Sequence, residues 1–173
     1  DIKADVALTV YGEMSFEKIQ DKFLKADFLY VGGGDTVFML EHWKKTGMLT
    51  LIRDAYERGV LICGLSAGAI CWFETMYTDS KIEGSDVPYA LYPGLGWIKG
   101  TISPHYNVRS LDFDEKIHYN NIDAIGLEDC SAIEIVNGEI VCSISCGGKA
   151  YRLYDSPDGI VKTEIMPKIE KLA

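Results

Sequence analysis

The chain has 173 residues, 47% of them apolar and 11% aromatic. That is about one domain's worth of sequence with enough apolar material for a sizeable core, which excludes a disordered tail. Seventeen Lys and Arg against 26 Asp and Glu leave a formal charge of −9, a balance that repels phosphate backbones and anionic lipid and argues against nucleic-acid or membrane-surface binding. The longest apolar runs, around Val60–Cys63 and Ala69–Phe73, fall far short of the ~18–20 residues of a membrane-spanning helix.

In chain order, Val6–Val10 reads as a strand, and Ser15 is placed to cap a helix carrying Phe16, Ile19, Phe23 and Leu24 on one face. Phe28–Val31 is a continuous apolar run of the kind buried on both faces of a parallel sheet. It ends in Gly32-Gly33-Gly34-Asp35. A helix is expected from Asp35 or Thr36, broken at Gly47 and resuming over Thr50–Arg58, with Gly59 at the left-handed position after it. Val60–Cys63 is the next buried strand. Gly64-Leu65-Ser66-Ala67-Gly68 follows without a spacer, then an apolar helix through Phe73.

Thr78–Gly96 has the composition of a loop, and Trp97–Ile102 that of a strand leading into Ser103-Pro104-His105. Asp112–Asn121 reads as a helix and Ala124–Leu127 as a short strand. Beyond it, Ala132–Val136 and Ile140–Ile144 flank Asn137-Gly138, a strong hairpin signal. Ala150–Tyr154 and Ile160–Ile165 surround a Pro157-Asp158-Gly159 turn. Strands alternating with amphipathic segments define an α/β fold of three layers, a mostly parallel sheet with helices on both faces. The C-terminal quarter is expected to form an antiparallel edge.

The five cysteines (Cys63, Cys71, Cys130, Cys142, Cys146) are odd in number and contain no Cys-x-x-Cys. They read as buried thiols of a reducing, cytoplasmic compartment and not as a disulfide framework or zinc site. The chain begins at Asp1 and not Met, which leaves room for a preceding leader or longer N-terminal piece.

The chemistry concentrates in Gly64-Leu65-Ser66-Ala67-Gly68, a Gly-x-Ser-x-Gly pattern set between a buried strand and a helix start. There the glycines permit a turn tight enough to lift a serine hydroxyl above the sheet edge. The alternative is a plain turn in which Ser66 caps a helix. A serine nucleophile needs a base. Of the three histidines, His42 and His118 lie among charged and polar helix neighbours, whereas His105 ends a strand at the edge where such sheets place their sites. A carboxylate should reach that edge from another strand. Asp129 and Glu128 follow Ile125-Gly126-Leu127, with Asp79 and Asp86 as competitors in the long loop. The triglycine fits neither a dinucleotide fingerprint, because residue 37 is Val, nor a phosphate-binding P-loop. It does suit an oxyanion hole formed by the N–H groups of Gly34 and Ala67.

Tyr30-Val31-Gly32-Gly33-Gly34-Asp35-Thr36, Gly64-Leu65-Ser66-Ala67-Gly68, Ser103-Pro104-His105-Tyr106 and Ile125-Gly126-Leu127-Glu128-Asp129 together resemble the peptidase E family of aspartyl dipeptidases and their cyanophycinase relatives. The resemblance runs from about residue 25 to residue 140. It implies a cofactor-free, metal-free serine peptidase on an amidotransferase-like α/β fold, with Ser66 as nucleophile, His105 as base, and Gly34 and Ala67 as oxyanion donors. The acid matches Asp129, where the dipeptidases have Glu, with Glu128 as fallback. Asp35 stands where the family usually has Asn.

The dipeptidases also place an Arg between His and acid to hold a substrate Asp. The matching position here is Phe113, flanked by Arg109 and Lys116, so strict Asp specificity is not implied. The expected domain is residues 1–173, lacking an N-terminal strand–helix portion of its relatives. The expected function is hydrolysis of short peptides through an acyl-enzyme on Ser66, in the cytoplasm, with a small peptide as partner, no nucleic acid or membrane, and a homodimer left open. The competing reading is a catalytically silent domain of the same fold that binds a small ligand or protein. A glutamine amidotransferase would want Cys at the elbow, and an α/β-hydrolase esterase would have Ser, acid and His in that order.

Overall fold

The computed structural model describes residues 3–10, 14–82, 84 and 86–168. The first half begins with α1 (Phe16–Lys25), where the Ser15 hydroxyl accepts from the Lys18 N–H and Ile19 and Phe23 are buried. The strand β1 (Phe28–Val31) pairs in parallel with β2 (Leu61–Gly64), Phe28 opposite Leu61 and Val31 opposite Gly64. Between them run α2 (Thr36–Thr46) and α3 (Met48–Glu57), separated by Gly47 at φ 77°. Asp35 caps α2, its carboxylate accepting from the Phe38 N–H at 3.0 Å, so the capping role survives where the family usually has Asn.

After β2 come α4 (Ala67–Ile70), β3 (Phe73–Thr78), β4 (Ala90–Pro93), β5 (Ile98–Ser103), α5 (Tyr106–Asn120) and β6 (Ala124–Leu127). A hairpin of β7 (Ser131–Val136) and β8 (Glu139–Ser145) follows, then β9 (Ala150–Tyr154) and β10 (Val161–Glu164). The larger sheet has the order β10-β9-β6-β5-β3-β4. Strands β3, β5 and β6 run parallel at its centre. The C-terminal strands β9 and β10 add antiparallel on one side and β4 antiparallel on the other. The Asn137-Gly138 turn carries positive φ at both residues, 53° and 83°, as a type I′ hairpin requires.

Two cores lie on the two faces of this sheet. One gathers α1, α2 and α3 with Ile70, Phe73, Met76, Ile102, Ile125 and Leu127. Within it Trp72 sits 6.0 Å from Trp43 and 5.4 Å from Trp97, centroid to centroid. The other packs Tyr106, Phe113 and Ile117 of α5 on Tyr77, Ala124 and Leu153. Met76 and Tyr77, adjacent on β3, point into opposite cores, as the two-residue period of a strand dictates. The expected α/β fold with helices on both faces and an antiparallel C-terminal edge is present. Among the described residues no helix is long and apolar enough to cross a membrane.

Several local expectations give way. Val6–Val10 joins no ladder. Its carbonyls are taken by side chains, Lys22 Nζ on Val6 and His42 Nε2 on Thr9, each at 3.0 Å. The helix after Ser66 ends at Ile70, and Phe73–Thr78 is a strand. Phe-Glu-Thr-Met-Tyr-Thr is rich in aromatic and β-branched residues, which fit a pleated surface better than a helix. The loop expected over Thr78–Gly96 contains β4; its residues 83 and 85 lie outside the described residues. Helix α5 begins at Tyr106, not Asp112, because its buried stripe of Tyr106, Arg109, Phe113 and Ile117 includes an arginine that hides the period. Strand β1 is not buried on both faces: Phe28 is 46% and Tyr30 60% exposed. The cysteines are not uniformly buried either, since Cys130 and Cys146 are exposed.

Candidate active site

The Gly-x-Ser-x-Gly turn is held by contacts that only glycine allows. A Cβ on Gly64 would lie 2.0 Å from the Gly68 carbonyl oxygen, and one on Gly68 would lie 2.2 Å from the carbonyl oxygen of Val31. These approaches draw β2 and α4 together so sharply that Ser66 adopts φ 52°, ψ −112°. A non-glycine residue is held there only when its surroundings over-determine it. Here they do: the Leu65 N–H bonds to Val31 O at 3.0 Å, and Ser66 O accepts from the Ala69 and Ile70 N–H groups at 2.9 and 3.1 Å. The triglycine abuts the same serine, for a Cβ on Gly33 would meet Ser66 Cβ at 3.3 Å and Oγ at 3.9 Å. Ala67 is the first residue of α4, so its N–H is among those a helix leaves without an internal acceptor.

His105 is delivered by the end of β5. It takes a left-handed conformation, φ 52° and ψ 38°, and precedes α5. A side chain at position 126 would drive its Cβ to within 2.7 Å of the Tyr106 ring. Gly126 thus lets the start of α5 settle onto β6, which brings His105 beside the residues that follow β6. The imidazole Nε2 lies 3.0 Å from Ser66 Oγ and Nδ1 lies 2.6 Å from Asp129 Oδ1. Hydroxyl, imidazole and carboxylate therefore form one continuous hydrogen-bonded line across three segments far apart in sequence.

Asp129 has a second holder that the sequence did not announce. Asn107 donates from Nδ2 to Asp129 Oδ2 at 3.1 Å and accepts from the Asp129 N–H on its own Oδ1 at 3.0 Å. The bond from His105, then that from Asn107, keeps the Asp129 carboxyl below its ordinary pKa, and the positive charge of Arg109 adds to the effect. Asp129 is accordingly an anion facing the imidazole, although its side chain is half exposed.

The competing residues have other partners. Glu128 is turned away: its carboxylate accepts from the Lys149 N–H at 2.9 Å, and its own N–H donates to Lys149 O at 3.0 Å. Asp79 pairs with Arg109 at 3.0 Å. Asp86 lies with Asp79 and Ser80 on the wall of a cleft of about 700 Å³. Ser80 Oγ accepts from the N–H groups of Thr36 and Val37, so that cleft adjoins the triglycine end of the site. His42 bonds to Thr9 O and stacks on Phe38, and His118 Nδ1 lies 2.5 Å from Asp155. Phe113, the position matched to the dipeptidases' substrate-holding Arg, is fully buried in the α5 core. Arg109, one helical turn earlier, is also buried and lies over the Tyr89 ring at 4.7 Å; Lys116 lies further along α5. Among the described residues no three His, Cys, Asp or Glu side chains converge as metal ligands would.

Comparison with known proteins shows the family. The model of peptidase family S51 matches residues 6–142. The chain belongs to peptidase family S51. It is 33% identical over 139 residues to the uncharacterized peptidase YgaJ of Bacillus subtilis (strain 168), a match spanning 75% of this chain and 57% of that protein. The uncharacterized peptidase Lmo0363 of Listeria monocytogenes serovar 1/2a is 36% identical over 60% of this chain and 49% of its own. Peptidase E of Salmonella arizonae is 29% identical over 68% of this chain and 55% of its own. The chain thus spans about half the length of the curated relatives it matches.

Proposed function

We propose that this chain carries the catalytic machinery of a serine-type peptidase that cleaves short, dipeptide-like substrates through an acyl-enzyme on Ser66. The observation that supports it is the unbroken line from Ser66 Oγ through His105 to Asp129, with bonds of 3.0 and 2.6 Å, in a member of family S51.

In this mechanism Ser66 Oγ attacks the scissile carbonyl carbon while His105 Nε2 takes its proton. Asp129 accepts from Nδ1–H, fixing the tautomer that leaves Nε2 basic and stabilising the imidazolium that forms. The carbonyl oxygen, now bearing the negative charge, is held by the N–H groups of Gly34 and Ala67. Each such donor typically contributes ~3–4 kcal/mol of transition-state stabilisation. Collapse of the tetrahedral intermediate breaks the C–N bond, and the proton on Nε2 leaves with the amine. Water, deprotonated by the same nitrogen, then hydrolyses the Ser66 ester and returns the proton to the serine.

A fluorophosphonate probe tests the assignment, because it reacts only with an activated serine. Labelling of the wild-type chain that vanishes in Ser66→Ala is the expected result. A folded wild-type chain that takes no label would favour the silent-domain reading. A dipeptide-library screen run beside Ser66→Ala then defines which side chains are accepted.

A further inference from the structure

The site acid is followed at once by Cys130, and Cys130 faces Cys146. Ser131 and Ser145 are the outermost registered pair of the β7–β8 ladder, and the next residues outward are these two cysteines. The ladder stops there, because Cys130 turns at φ 61°, but contact between the two persists: the Cys146 N–H donates to Cys130 O at 3.0 Å, and the Cys146 thiol lies 3.5 Å from that same oxygen. A disulfide bridges Cα atoms ~4.4–6.8 Å apart, a span that the 3.0 Å backbone bond between residues 146 and 130 brings within reach. Both cysteines are exposed, whereas Cys71 is buried and Cys63 half-buried. The neighbouring Cys146 thiol pushes the Cys130 pKa up.

We propose that Cys130 and Cys146 are a reversible dithiol–disulfide site whose oxidation by a low-molecular-weight disulfide staples the segment carrying Asp129 to the turn after β8. Two exchanges accomplish it. One cysteine, as thiolate, attacks a sulfur of the small disulfide, forming a mixed disulfide and expelling one small thiolate. The second cysteine, as thiolate, attacks the protein sulfur of that mixed disulfide and expels the other small thiolate. The two protons lost by the protein end on the two small thiols, the protein sulfurs are oxidised by two electrons, and the small disulfide is reduced.

The staple acts on a segment already tightly fitted. Cys130 O accepts from the Gly148 N–H as well as that of Cys146, and a Cβ on Gly148 would fall 1.8 Å from the Asp129 carbonyl oxygen. Cross-linking 130 to 146 therefore constrains the backbone that presents Asp129 to His105. The site does not depend on the reaction assigned to Ser66, because it is read from thiol chemistry alone.

The test equilibrates the full chain, in parallel with Ser66→Ala, against glutathione buffers of increasing oxidised fraction. Alkylation and intact mass then report the thiols. The expected result is loss of two hydrogen masses and a linked peptide joining Cys130 to Cys146 in both proteins. In Cys130→Ser or Cys146→Ser the remaining cysteine should instead carry a glutathione adduct. The Asp129 amide should exchange with solvent more slowly in the oxidised chain. The proposal is overturned if both cysteines stay alkylatable in buffers that oxidise dithiothreitol, if adducts accumulate on each without linking, or if the link joins other cysteines. Unchanged exchange at Asp129 would overturn the stapling.

Discussion

Asn107 grips Asp129 at two points, donating to its carboxylate at 3.1 Å and accepting from its backbone N–H at 3.0 Å. One side chain therefore sets both the position and the rotation of the carboxylate that faces His105. Asn107→Ala should leave the fold intact, since Asn107 is exposed. It should lower peptide-hydrolysis kcat by about tenfold, equivalent to ~1.4 kcal/mol for hydrogen bonds to a charged group. Steady-state kinetics would show KM little changed, because Asn107 acts through Asp129; an unchanged kcat would mean that Asp129 needs no second holder.

The three histidines should separate cleanly. His105→Ala is expected to cut kcat/KM by ~10⁴-fold or more, as removal of a triad member does. Replacement of His42 or His118 by Ala should change it less than about twofold, because each bonds elsewhere and surface changes of this kind alter stability little. Parallel kinetics and thermal melts of the three variants check this. Comparable losses in all three would place the base elsewhere.

The turn that carries Ser66 should be intolerant of a single methyl group. Gly68→Ala brings Cβ within 2.2 Å of Val31 O, so either β1 or α4 must move; overpacking of this kind costs ~1–3 kcal/mol, and more where backbone is the obstacle. Gly32→Ala, with nothing within 4 Å of the added atom, should stay within ~0.5 kcal/mol of wild type. Denaturant melts of the two variants make the comparison, and equal stabilities would contradict the close packing of β1 on α4.

Asp129 links the site to acid stability. Its folded pKa is lowered from 3.8 by His105 and Asn107, so the folded state favours the anion. That contribution is fully present above the unfolded value and fades as pH falls through the lower folded one. Wild type and Asp129→Asn should therefore differ in Tm by a constant amount above pH 3.8, with the gap narrowing below it. The gap itself should be small because the carboxylate is half exposed. A gap that widens on acidification would mean that the folded pKa is raised instead.

Much of the site was legible because glycine and positive-φ positions leave a trace in sequence. Gly64 and Gly68 frame Ser66 for a steric reason, and Gly32, His105 and Asp129 each lie just past the end of a parallel strand, β1, β5 and β6. The choice of Asp129 over Glu128 was not legible. Adjacent residues after a strand point in different directions, and only the pairing of Glu128 with Lys149 across the β6–β9 junction shows which one turns away. Asn107 was missed although it follows His105 by two positions in the first turn of α5, because an exposed Asn near a helix start looks like any capping residue. Around Ala69–Phe73 the apolar run was too short to separate helix from strand, and Val6–Val10 alternated like a strand without finding a neighbour to pair with.

Ser66 and the triglycine hang from the β1–β2 pair, whereas His105 and Asp129 hang from β5 and β6 of the six-stranded sheet, and among the described residues no ladder joins the two sheets. The 3.0 Å separation of Ser66 Oγ from His105 Nε2, the hop of the proposed proton transfer, is consequently set at a seam, where Val31 and Ile62 lean on the tryptophan-rich interior. Wear in that seam, from a trimmed Trp72 or Ile70, would widen the hop while leaving every strand intact, so turnover should fail before the fold does.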